Sequence, residues 1–187
     1  MAASCHCRRP QVKKEGCPLK LLLPATVRQV AGQLGVWERI ESALADRDWI
    51  DEIASLPVRP SRAATRLGSY QQRGGSPRAI LLQPVLEPHL LRETFLHELA
   101  HACDHRDNQA GRIYRRPHGE GWRDWMARLG CRPEVRGHSA ALAMQYVSRL
   151  KTVAVCSRCG SEVRRLRRLN RRVRYLHAGC GGRLKPV

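Results

Sequence analysis

Between Leu90 and His105 the apolar positions fall into helical register. Leu91, Phe95, Leu99 and Ala102 recur at i, i+4, i+8 and i+11, and on a helical wheel this stripe lies opposite His97 and His101. The stretch contains no Gly or Pro, so it predicts a helix with one face built to pack and the other turned to a cleft.

The other elements follow from weaker periodicity and from punctuation. Thr26 with Gln29 resembles a capping box opening a helix, and Gly32 and Gly35 mark a break soon afterwards. A second helix is predicted from Trp37 to Leu56, with Val36, Ile40, Leu44, Ile50 and Ile53 at imperfect helical spacing and Pro57 and Pro60 closing it. Ala64 to Gln72 and Arg78 to Gln83, separated by Gly74, Gly75, Ser76 and Pro77, read as a hairpin feeding a small sheet. Pro84 and Pro88 then precede the long helix. After it come a polar, Arg-rich loop from Asn108 to Pro117 and a helix from Gly121 to Leu129, capped by Gly130.

Charge changes this picture at the C-terminus. The 187 residues carry a formal net charge of +18, and residues 151–187 hold eleven Lys or Arg against one acid, Glu162. A polyanion is the expected partner there, and nucleic acid fits better than a membrane because no amphipathic helix or lipidation motif accompanies the charge. Residues 1–20 read as a flexible basic tail in which Cys5, His6, Cys7 and Cys17 form no strong ligand pattern. The chain has no apolar run of membrane-spanning length, and the short patch Leu19 to Leu23 is no secretory core. An intracellular protein, cytoplasmic, nucleoid-associated or nuclear, is therefore expected. Its eight cysteines then point to metal ligation or free thiols, with Cys103 and Cys131 buried or incidental.

Residues 97 to 101 read His-Glu-Leu-Ala-His. Two imidazoles four positions apart on a helix can reach one metal ion, and Glu98 is placed to take a proton from water that the ion activates. A catalytic zinc needs a third protein ligand, and four residues downstream compete for the role. Asp107 would require a glycine turn where Asp104 stands. His105 lies another helical turn along the axis. Glu120 is at a distance some enzymes use for a glutamate ligand, and His118 begins His118-Gly119-Glu120-Gly121-Trp122.

The C-terminal cysteines make a second ligand set. Cys156-x-x-Cys159 and His177-x-x-Cys180 form a Cys₃His pattern of the closed, structural zinc type, with Gly160, Gly181 and Gly182 letting the backbone turn around the ion. Between them, Val163 to Leu176 reads as a two-stranded ribbon presenting Arg164, Arg165, Arg167, Arg168, Arg171, Arg172 and Arg174 to phosphates, with Tyr175 available for stacking.

Leu96-His97-Glu98-Leu99-Ala100-His101-Ala102, His118-Gly119-x-x-Trp122 and the terminal zinc segment together resemble the SprT-like zinc metalloprotease family, over roughly residues 60 to 182. The resemblance implies that His118 is the third zinc ligand, that Trp122 packs beneath the site, and that the substrates are DNA-associated or DNA-crosslinked proteins. Some members use four cysteines where this chain has Cys-x-x-Cys and His-x-x-Cys. The expectation is thus an α+β fold: a zincin-like metalloprotease domain with a short β-sheet over residues 21–150, followed by a nucleic-acid-binding zinc ribbon over 151–187. Two Zn²⁺ ions are expected, one catalytic and one structural. The competing readings are a non-proteolytic, zinc-containing nucleic-acid-binding protein and a zinc hydrolase of a non-peptide bond.

Overall fold

Thr26 opens the first helix as its spacing with Gln29 predicts. The Thr26 hydroxyl accepts from the Gln29 N–H at 3.3 Å and the Gln29 side chain accepts from the Thr26 N–H at 2.9 Å. Helix α1 (Val27–Gln33) ends where Gly35 turns the chain at φ 65°. The computed structural model describes residues 21–73, 76–109, 117–135 and 137–187. The basic segment 1–20 with its four potential ligands, the glycine pair of the hairpin turn and most of the Arg-rich loop lie outside those residues.

The single helix expected from Trp37 to Leu56 is instead two, α2 (Trp37–Ala43) and α3 (Ile50–Ser55). At 100° per residue an unbroken helix would turn Trp49 and Ile53 to the face opposite Ile40 and Leu44. All four are buried, and the break is what lets both sets reach one core. Pro57 and Pro60 do not merely stop a helix, because they bound strand β2 (Pro57–Pro60). Proline is tolerated at the first position of a strand, where no ladder N–H is required.

That strand pairs antiparallel with β1 (Ala25–Thr26) and parallel with β4 (Ser76–Leu82), which pairs antiparallel with β3 (Gly68–Arg73). The order β1-β2-β4-β3 leaves β3 on the edge. The hairpin is as expected, although its first strand begins at Gly68 rather than near Ala64.

Across the sheet lies α4 (Pro88–Gln109), longer at both ends than the predicted helix. Nor is it two-faced in the way its stripe suggests. Leu96 and Ala100 are as buried as Leu91, Phe95, Leu99 and Ala102, and the polar residues Glu98, His101, Asp104 and His105 are also buried, though slightly less completely. The helix runs through the core and takes these four polar side chains inside with it, while Arg92 and Glu93 stay exposed. Helix α5 (Glu120–Arg128) matches the expected third helix, ending at Gly130 with φ 64°. A further helix that the periodicity did not indicate, α6 (Ala140–Ser148), follows. Ser139 caps it by accepting from the Leu142 N–H at 3.0 Å.

The remaining chain forms a second sheet, of order β6-β5-β7, from β5 (Lys151–Cys156), β6 (Glu162–Arg165) and β7 (Leu184–Pro186). The expected two-stranded ribbon from Val163 to Leu176 is not formed, because the strand stops at Arg165. Leu169 leaves the sheet to bury itself against Val153 and Ala154, and the chain then turns at Asn170, whose side chain accepts from the Arg172 N–H at 3.0 Å. Paired arginine-rich strands would have set like charges opposite one another. Among the described residues no helix is long and apolar enough to cross a membrane.

Candidate metal centre

One turn of α4 places His97 and His101 side by side, with ring centroids 5.1 Å apart. His118 arrives from the turn before α5 with φ 62°, in the left-handed region. Its Nε2 stands 3.0 Å from His97 Nε2 and 3.1 Å from His101 Nε2. Three imidazole nitrogens converging in this way cannot all satisfy one another with hydrogen bonds, since each neutral ring offers at Nε2 either a proton or a lone pair. A cation satisfies all three. Nitrogens about 2.05 Å from a tetrahedral zinc stand roughly 3.3 Å apart, close to the separations here.

The surroundings keep these rings neutral. Burial, helped by the neighbouring His118, pushes His97 down to about 4, and burial, with His97 and His118 so close that a second positive charge would be repelled, pushes His101 down to about 3. Burial also lowers His118. The carbonyl of Glu134 takes a hydrogen bond from His97, an outer-shell contact that fixes which nitrogen faces the cluster. His101 Nδ1 is buried with no partner among the described residues.

Trp122 forms the floor. It is wholly buried, donates its indole N–H to the His97 carbonyl at 3.3 Å, and lies against His101 at 5.5 Å between centroids and 27° between planes. This is the packing beneath the site expected of it. Gly121 is required next to it, because a Cβ there would occupy the place of the Asp104 carboxylate.

The other three candidates for a third ligand point elsewhere. Asp107 accepts from the Trp125 indole at 2.9 Å and pairs with Arg47 at 3.6 Å. His105 Nδ1 meets the Tyr70 hydroxyl at 2.7 Å. Glu120 lies exposed in the first turn of α5 and outside the cluster of convergent donors.

Glu98 is 7% exposed, and burial lifts its carboxyl to about 7, against the pull of a hydrogen bond from the Tyr70 backbone N–H. It opens on a cleft of about 750 Å³ that also reaches His97, His118 and the exposed arginines Arg66, Arg92 and Arg132. Cys131 is half-buried on the cleft wall, whereas Cys103 is sealed in the core.

Sequence reasoning missed Tyr70 and Gly68. A Cβ at Gly68 would come within 2.7 Å of Thr94 and 3.0 Å of Glu98. A glycine inside a strand pattern signals just such a close approach. Tyr70 carried no comparable signal.

At the other end of the chain Cys156, Cys159, His177 and Cys180 also converge. Cys180 Sγ lies 3.5 Å from the sulfurs of Cys156 and Cys159, and His177 Nδ1 lies 3.2 Å from Cys159 Sγ and 3.3 Å from Cys180 Sγ. Gly182 is needed here, since a Cβ would come within 2.6 Å of Cys156 Sγ. Sulfurs about 2.3 Å from a tetrahedral zinc stand roughly 3.7 Å apart, so this set also fits such an ion. Around it Arg164, Arg165, Arg167, Arg168, Arg171, Arg172 and Arg174 are exposed. None of them makes an ion pair among the described residues. Tyr175 is half-buried against Val153, Ala154 and Leu169.

A helix bearing two imidazoles one turn apart, a third from the following turn and a buried carboxylate between them define a metallopeptidase-type domain on a mixed α+β scaffold. The profile of the SprT-like family matches residues 41–142, more than half of the chain. The chain belongs to the SprT-like family. The match contains all three histidines and Glu98 and stops before the C-terminal sheet. No curated protein and no solved structure matches the chain.

Proposed function

We propose that this protein is a zinc-dependent peptidase that acts on proteins held on nucleic acid, DNA above all, and that its arginine-rich C-terminal module provides the recruitment. The observation that carries the reading is the convergence of three imidazoles beside the buried Glu98, with His118 Nε2 3.0 Å from His97 Nε2 and 3.1 Å from His101 Nε2. A zinc ion bound by the three histidines would lower the pKa of an attacking water to roughly 7 and polarise the carbonyl it attacks. Glu98 takes the proton of that water and delivers it to the departing amine nitrogen. Trp122 and the Glu134 carbonyl hold the ligand rings in place. The family match favours a peptide substrate over another hydrolysable bond.

The four ligands of the C-terminal module would hold a second, structural zinc. Its seven exposed arginines face phosphates, so selectivity arises from bringing enzyme and substrate together on one polymer through effective concentration. The deciding measurement compares wild type with Glu98→Gln on a DNA-crosslinked protein. The variant keeps zinc and DNA binding and loses about 10²- to 10⁴-fold in cleavage rate. Equal cleavage by the two proteins refutes the mechanism.

A further inference from the structure

Strand β3 has only β4 as a neighbour in the sheet, and its outer margin lies against α4. Three contacts join them. Gly68 lets the strand come so close that its missing Cβ would fall 3.1 Å from Glu98 Oε1. The Tyr70 N–H donates to the Glu98 carboxylate. The Tyr70 hydroxyl meets His105 Nδ1 at 2.7 Å, with the two rings 5.7 Å apart and His105 only 7% exposed.

Tyr70 is therefore tied to α4 at both ends, at two positions seven residues apart and so about 10 Å along the axis. A glutamate has three rotatable bonds, and a base must be aimed to within a fraction of an ångström of the proton it removes. An edge strand alone cannot supply that aim, because nothing in the sheet braces its outer side. We propose that Tyr70 and His105 are positioning residues for Glu98: their hydrogen bond draws β3 onto α4, and the Tyr70 amide thereby holds the carboxylate. The proposal rests on the peptidase reading above for the use made of that carboxylate. Burial keeps the His105 imidazole below its usual pKa, so at neutral pH the ring retains a lone pair that can accept the phenol proton.

The test uses the full chain loaded with zinc. Hydrogen exchange of the residue-70 amide is followed by NMR, and hydrolysis of fluorescein-labelled casein gives kcat and KM. Tyr70→Phe and His105→Leu should each speed exchange at residue 70 and lower kcat by about tenfold, with KM within about twofold and zinc content unchanged. The double variant should lose no more than either single one, and His105→Gln, which can still bond the hydroxyl, should recover most of kcat. Wild-type exchange at residue 70 in both single variants, or losses that multiply in the double variant, overturns the clamp. The exchange measurement needs no proteolysis. Faster exchange in both variants, combined with equal casein cleavage by wild type and Glu98→Gln, supports the clamp on the carboxylate and overturns the peptidase reading instead.

Discussion

His118 is the only described non-glycine residue with a positive φ, 62°, a conformation that costs roughly 1 to 2 kcal/mol in an L-residue. In this conformation His118 Nε2 stands 3.0 and 3.1 Å from the Nε2 atoms of the other two histidines. Glu120, two residues on, has the right chemistry and the wrong direction. Zinc content by elemental analysis separates the two. Wild type is expected to carry two ions per chain, His118→Ala one, and Glu120→Ala two. Loss of zinc from the Glu120 variant with retention by the His118 variant is the pattern that refutes this ligand set.

At the scale of elements, Glu87 ties the start of α4 to the start of α6. Its carboxylate accepts from the Ser139 hydroxyl at 2.8 Å and from the Ala141 N–H at 3.2 Å. Its own backbone N–H, Ser139 and Ala141 together hold its pKa below the ordinary 4.5. A carboxyl whose pKa is depressed on folding stabilises the fold above its unfolded pKa, and that contribution disappears as pH falls through the folded value. Glu87→Gln should therefore lower stability by about 1 kcal/mol at pH 7, a figure already reduced because the carboxylate is only partly shielded from water. Thermal unfolding of both proteins over a falling pH series from pH 7 checks it, and the gap should narrow as pH drops below the ordinary 4.5 and close once it has passed the lowered value in the fold. A gap independent of pH means that the charge contributes nothing. The C-terminal sheet rests on a different support. Its small cluster of Val153, Ala154 and Leu169 is too slight a core to hold it without metal. Cys156→Ser with Cys159→Ser should reduce zinc from two ions to one and unfold residues 151–187 selectively, as read by amide exchange. Two ions retained in that variant would exclude the Cys₃His site.

Over the whole molecule the charge is divided unevenly. The +18 total is concentrated in the C-terminal module, while the matched family region holds the three histidines and Glu98. If the module neutralises about five phosphates, log K for single-stranded DNA should fall with log salt at a slope of about −3.5. Truncation after Leu150 should abolish most of that binding and leave hydrolysis of a free peptide intact. A salt-independent affinity, or binding undiminished by the truncation, excludes recruitment through these arginines. The irregular course of residues 166–174 spreads the charges over a loop rather than along a ribbon. Replacing Arg167, Arg168, Arg171 and Arg172 with Gln is therefore expected to flatten the slope gradually, since no single register of contacts is lost.

Local chemistry was readable directly from residue spacing. The capping box at Thr26 and the glycine stop at Gly130 follow from neighbours within a few residues, and so do the His97/His101 pair and the Cys156/Cys159 and His177/Cys180 pairs. What spacing could not decide was anything set by where distant segments meet. The break between α2 and α3 arises because Ile40, Leu44, Trp49 and Ile53 must share one core, and Leu169 leaves the expected ribbon for the same kind of reason. His105 and Tyr70 are 35 residues apart and meet only because β3 lies along α4. Hydrogen bonds and caps are short-range and leave marks on adjacent residues, whereas burial is a property of the assembled molecule. The candidate metal-ligating pair of α4 was therefore written in five consecutive residues, and the surroundings of its carboxylate were settled only by tertiary packing.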